Sequence, residues 1–212
     1  MITLLITSVE AVVYWTPGYF EKEYSKYRVN EAVEMEMEDL LDVTREMMAY
    51  LRGNREDLHV DTIVDGQQRE FFNAREIAHM EDVRDLFLAA IMIRRVCLGI
   101  IAGSVIALVL TKADIRRGLP KQICIGTITF FGVLAVLAGI ISTDFSKYFI
   151  IFHEIFFNND LWVLDPRTDL LINIVPEPFF VDTAARIGLT YGISVVLVFV
   201  ICMILMRRRK NV

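Results

Sequence analysis

The sequence predicts an α-helical membrane protein: four transmembrane helices, the first short or truncated, with a small extracellular α+β domain that contains a β-hairpin. Three observations lead there. Residues 123–142 and 187–206 are uncharged apolar runs of about 20 residues each, and 96–111 is a shorter third. At roughly 1.5 Å per residue, about 20 helical residues cross a hydrocarbon core of about 30 Å. The chain is 55% apolar with a positive mean hydropathy, above the roughly 45–50% of ordinary soluble domains. Charge is also segregated. Short segments beside the apolar runs are basic, while the long segments are acidic or mixed.

Residues 1–15 are apolar apart from Glu10. As a helix, about 15 residues reach only roughly 22 Å, so this segment is read as a first transmembrane helix, short or truncated. It shows neither the basic start nor the small-residue cleavage site of a signal peptide.

Residues 16–90 form the outer domain. Asn30 is placed to cap a helix running to about Arg52, where Gly53 stops it. Val33, Met37, Leu40, Leu41, Thr44, Met47, Met48 and Leu51 recur at three- and four-residue steps, one amphipathic stripe. The opposite face carries Glu34, Glu36, Glu38 and Asp39. That acidity disfavours an anionic membrane surface, so the stripe is expected to pack on the outer domain. Alternation over 58–64, then Asp65–Gly66, then 67–72, is a hairpin pattern. Asn73 with Glu76 three residues on reads as a capping-box variant. The helix it starts meets no breaker before Gly99 and runs into the span 91–111, where Arg94 and Arg95 can snorkel to the head groups.

The loop 112–121 carries Lys112, Arg116, Arg117 and Lys121 against Asp114; the span 122–142 follows, and the tail 207–212 holds Arg207 to Lys210. Short basic loops stay in the cytoplasm, which puts 16–90 and 143–186 outside. The interfacial segment 143–186 is rich in aromatics: Phe145, Tyr148, Phe149, Phe152, Phe156, Phe157 and Trp162. Asp165–Pro166 turns it, and Pro176-Glu177-Pro178 predicts no regular helix before Arg186 opens the span 187–206.

Cys97, Cys124 and Cys202 lie in apolar runs, away from the segments where an oxidising compartment would pair them, and have no zinc spacing. Phosphate-loop, GxSxG and HExxH motifs are absent. Histidine is the usual general base near neutral pH, and there are three. His59 reads as a solvated strand residue. His79 shares a helix face with Arg75 and Asp82, either as a surface charge cluster or as part of a site. His153 stands among aromatics, where a histidine is costly unless partnered; a buried structural role is the alternative. Both helices reach the same outer boundary, so the two are able to meet.

The strings YWTPGYFEKEY, DLLDVTREMMAYLRG, REFFNAREIAHMEDVRDLF and FHEIFFNNDLWVLDPRTDLLINIVPEPFF, with the closing apolar run, resemble the lipoprotein intramolecular transacylase family of Gram-positive-type bacteria in order and spacing. The likeness extends from about Thr7 to Met206 and is most specific around the two histidines; it departs at the start, where the family has a full first helix. It implies an acyltransferase of the bacterial cytoplasmic membrane, with its active site at the outer face. Such an enzyme moves the sn-2 acyl chain of a diacylglyceryl lipoprotein onto the α-amino group of its N-terminal cysteine. The implied partners are diacylglyceryl-modified lipoproteins and membrane lipids, without nucleic acid, metal or other cofactor. The implied catalytic residues are His79 and His153. Arg75, Asn158 and Asn159 are candidate donors to the developing negative charge. Two rival readings stay open: a lipid hydrolase or metal-dependent enzyme using His79, His153 and Asp160, and a non-catalytic membrane scaffold or sensor.

Overall fold

The computed structural model describes residues 1–112 and 115–208. The elements in chain order are α1 (Ile2–Val13), α2 (Tyr19–Tyr27), α3 (Val29–Ala32), α4 (Met37–Leu51), β1 (Asp61–Val64), β2 (Gln67–Glu70), α5 (Ala74–Leu110), α6 (Ile115–Ile141), α7 (Phe145–Phe156), α8 (Leu170–Ile174) and α9 (Glu177–Arg208). Three helices are long and apolar enough to cross a membrane: Ala74–Leu110, Gly118–Ile141 and Glu177–Met206. Their aliphatic side chains point outward, among them Ile100, Val136 and Leu197, as lipid-facing positions do. The fourth expected span, α1, is a shorter apolar helix of 12 residues. It packs against α5 and α9, and α6 packs against α9.

The polar half forms a cap with its own core. Tyr24, Leu40, Leu58, Phe71 and Ile174 are fully buried there, drawn from α2, α4, the hairpin approach, the residues before α5, and α8. The hairpin is antiparallel, with Val64 opposite Gln67. Asp65 and Gly66 both take positive φ, 50° and 68°, the conformation that a two-residue type I′ turn demands and that Asp-Gly supplies.

Two expectations are corrected, and one residue gains a partner that the sequence did not announce. Asn30 does not cap a helix to Arg52; it lies inside α3, and a second helix begins after Glu36. The break falls at Glu34, at φ 55°, whose carbonyl accepts a hydrogen bond from Asp65 N at 3.0 Å. A tertiary contact with the hairpin turn thus outweighs a locally helical sequence. The Pro-Glu-Pro segment does not exclude a helix. Glu177 and Pro178 are the first residues of α9, and the first turn is where proline forfeits no intrahelical bond. Arg94 has a partner within the fold. It is ion-paired with Glu10 of α1, which is 4% exposed and has Arg52 at 3.6 Å on its other oxygen. The stripe on α4 does pack inward, burying Leu40, Val43, Thr44, Met47, Met48 and Leu51. Ala113, Asp114 and residues 209–212 lie outside the described residues, so the charge argument for orientation stays with the sequence.

Glu10 joins α1, α5 and the end of α4. Removing one partner of a buried ion pair leaves the other uncompensated, at a cost on the order of 3–5 kcal/mol. Glu10→Ala should therefore lower the unfolding midpoint in detergent far more than Asp42→Ala, whose pair with Arg45 is exposed and worth at most about 1 kcal/mol. Equal midpoints for Glu10→Ala and the unaltered protein would show that this pair ties nothing together.

Candidate active site

The site is built from the start of α5. Asn73 Oδ1 accepts from the N–H groups of Arg75 and Glu76 at 2.9 and 3.0 Å, and Glu76 Oε2 accepts from Asn73 N at 2.7 Å. That is a full capping box. Its other arms reach across the chain. Glu76 Oε1 accepts from Leu171 N at 2.6 Å, and Asn73 Nδ2 donates to Asp169 Oδ1 at 2.8 Å. Asp169 Oδ2 in turn accepts from Asp165 N at 2.7 Å. The first turn of α5 is bolted to the segment that follows α7.

One turn further on, His79 meets His153. Each histidine is 7% exposed, and the ring centroids are 6.0 Å apart at 35°. Phe157 lies 5.4 Å from each of them. Phe149 and Trp162 stand 4.3 and 5.0 Å from His153. Phe149 also packs on Phe180 of α9 at 5.1 Å. The pair therefore sits in an aromatic box at the junction of the cap and the apolar helices.

Both imidazoles lie outside the apolar stretches. His79 is followed on α5 by Glu81, Asp82, Arg84 and Asp85, and His153 is on α7. Burial first, and then the neighbouring His153, pull the His79 pKa down to about 4; Asp82 opposes and Arg75 assists. Burial also lowers His153, opposed by its hydrogen bond to the Phe149 carbonyl. Both rings are neutral at pH 7. His153 Nδ1 is 2.7 Å from Phe149 O. A carbonyl only accepts, so Nδ1 carries the proton and Nε2 presents a lone pair. Among the described residues, His79 Nδ1 and Arg75 Nε are buried without a hydrogen-bond partner.

The other expected residues are dispersed around the pair. Arg75 donates to the Asp160 carbonyl, and its carboxylate contact to Asp160 is 3.7 Å. Asn158 is exposed. Asn159 is committed at both ends of its amide: Nδ2 donates to Asp82 at 2.8 Å, and Oδ1 accepts from Leu161 N at 3.1 Å. Asp160 is 85% exposed at its side chain and faces Arg75 rather than the imidazoles. Among the described residues no group of three His, Cys, Asp or Glu side chains is placed to hold a metal ion. His59 is an exposed strand-side residue paired with Glu70. Sequence reasoning named Asp82 only as a face-mate of His79 and Trp162 only as an interface anchor. The contact of Trp162 with His153 has no local signal, because it depends on how the loop after α7 folds.

A cap over three long apolar helices, with a buried imidazole pair where the two meet, defines a multi-pass membrane protein. Residues 1–180 match the family described as lipoprotein intramolecular transacylase Lit. The chain belongs to this family. Its fold is that of the membrane-integral lipoprotein intramolecular transacylase Lit from Bacillus cereus, at 21% identity and TM-score 0.82, covering 100% of this chain and 92% of the other. Two single-histidine variants of the same Bacillus cereus protein, histidine to alanine and histidine to arginine, match at TM-scores 0.78 and 0.77 and 21% identity. They cover 100% and 99% of this chain and 90% and 88% of theirs. No curated protein matches the chain.

The depressed His79 pKa has a consequence for stability. Below its ordinary value of 6.5, the unfolded chain takes up a proton that the native ring resists down to about 4. Stability should therefore be full above that ordinary value and decline as pH falls through this window. A pH series of unfolding midpoints should show the decline, and His79→Gln, which cannot titrate, should make it shallower, leaving the part due to His153. An unchanged decline in that variant would remove His79 as its source.

Proposed function

We propose that this protein moves the sn-2 O-acyl chain of a diacylglyceryl lipoprotein to the α-amino group of the lipoprotein's N-terminal cysteine, giving the lyso-form, at the outer face of the bacterial cytoplasmic membrane. Family membership supports the transacylase class. The observation that carries the finer reading is the buried imidazole pair, 6.0 Å apart, at the cap–bilayer junction. There a substrate's chains reach lipid while its amine and ester remain beside the histidines. The basic segments around Lys112–Lys121 and Arg207–Lys210 support the outward orientation of the cap.

His153 is the base in this reading, because its Phe149 hydrogen bond leaves Nε2 free to accept a proton. The amine nitrogen attacks the ester carbonyl carbon, and His153 Nε2 takes the amine's proton. The tetrahedral intermediate then collapses: the bond from carbonyl carbon to glyceryl oxygen breaks, and the proton passes to that oxygen. An amide and a free glyceryl hydroxyl result, with no net proton change. Arg75 Nε–H and the His79 ring lack protein partners at these atoms, which suits them to the oxyanion. Because amine and ester belong to one molecule, positioning supplies much of the rate, and a protein nucleophile is not needed. The metal-dependent alternative loses support, because the Asp160 carboxylate it requires faces Arg75 instead.

His153→Ala and His79→Ala should each reduce formation of the N-acyl lyso-form by about 10²–10⁴-fold, the usual worth of positioned acid–base catalysis. Mass spectrometry of a reporter lipoprotein, incubated with folded variant in detergent or liposomes, measures it. Normal product from both variants rejects the assignment.

A further inference from the structure

The two histidines are carried by different segments, and one hydrogen bond links those segments directly beside them. Asp82 follows His79 by three residues, on the same face of α5. Its Oδ2 accepts from Asn159 Nδ2 at 2.8 Å. The backbone carbonyl of Asn159 accepts from Trp162 Nε1 at 2.9 Å. The Trp162 ring lies on His153, with centroids 5.0 Å apart and planes at 34°. A continuous path therefore runs from the helix of His79, through Asp82, Asn159 and Trp162, to the face of the His153 ring.

We propose that Asp82 and Asn159 are positioning residues. Their hydrogen bond fixes the Trp162 ring against His153 and thereby sets His153 relative to His79. This rests on the reading of His79 and His153 as the reacting pair. Asn159 suits this role because its side-chain amide is oriented by the protein, one N–H on Asp82 and Oδ1 on Leu161 N. A hydrogen bond in which one partner is ionised is stronger than a neutral one. Because Asp82 is only partly buried and Asn159 likewise, the bond holds a loop without sealing it. Catalytic geometry tolerates little slack: a displacement of about 1 Å is worth roughly a hundredfold in rate. A loosened Trp162 frees the His153 ring by that order.

The test is a side-chain exchange. Asp82→Ala and Asn159→Ala each remove the bond. Asn159→Asp sets two carboxylates against each other. The double variant Asp82→Asn with Asn159→Asp restores a carboxylate–amide bond with its direction reversed. Two readouts are taken on each folded protein. One is kcat and KM for N-acyl product formation. The other is Trp162 emission in a Trp15→Phe background, which needs no turnover. The single variants should lower kcat by about ten- to a hundredfold, leave KM within about threefold, and shift Trp162 emission to the red. The exchanged pair should recover both. Wild-type kcat and emission in the single variants would overturn the proposal. So would an exchanged pair as impaired as Asn159→Asp alone, which would mean that the Asn159 amide acts by itself. Should the emission pattern follow the exchange while the unaltered protein yields no N-acyl product, the positioning role stands and the transacylase reading falls.

Discussion

The carboxylate of Glu76 is the point on which the arrangement depends. It is 1% exposed, and each oxygen accepts a backbone N–H, one from Asn73 and one from Leu171. Burial raises its pKa, and the two N–H bonds pull in the other direction. Hydrogen bonds to a charged acceptor are worth about 1.5–3 kcal/mol each, enough to offset much of the desolvation of one carboxylate. One of these bonds starts α5; the other seizes the chain after α7. With Met80 also buried in the cap core, the rotation of α5 about its axis is set, and His79 is delivered to the same side as the returning loop.

The membrane half and the cap are held in register by charges that the apolar sequence would otherwise exclude. Glu10 is the lone acid of α1, and Arg94 interrupts the apolar stretch of α5. Each alone would be costly near hydrocarbon; together, with Arg52 at the end of α4, they form a joint. A second joint lies at the start of α9. Arg186 donates to the fully buried Glu23 of α2 at 2.7 Å, and Tyr19 bonds to Thr183 at 2.5 Å. The cap is thereby anchored on α1, α5 and α9, and α7 hangs beneath it through aromatic packing.

What the sequence made legible were features governed by a few neighbouring residues. Asp65–Gly66 turned the hairpin, Asn73 and Glu76 capped α5, and Gly53 stopped α4 at φ 78°. The apolar runs showed three long helices by length alone. The break at Glu34 was invisible, because its cause is Asp65, far along the chain. The partner of Arg94 was invisible for the same reason: it lies on another helix. At the site, the type and level of the two histidines were legible, but their 6.0 Å approach was not. Asn159 looked like a free amide until the fold gave it Asp82.

Among the described residues no carboxylate lies at hydrogen-bond distance from either imidazole, and this bears on how the pair works. A carboxylate partner would hold a histidine protonated and raise its pKa; here burial and the neighbouring ring act the other way. Two imidazoles this close resist a second proton once the first is bound, so the pair exists as neutral or singly protonated. In the transfer proposed above, one proton leaves an amine and one returns to a glyceryl oxygen. A base that is neutral at rest, accepts one proton against an opposing environment and yields it readily matches that cycle. The aromatic walls contribute by the same logic. In that proposed transfer they would keep water from competing with the amine for the ester, through the same burial that lowers the two pKa values.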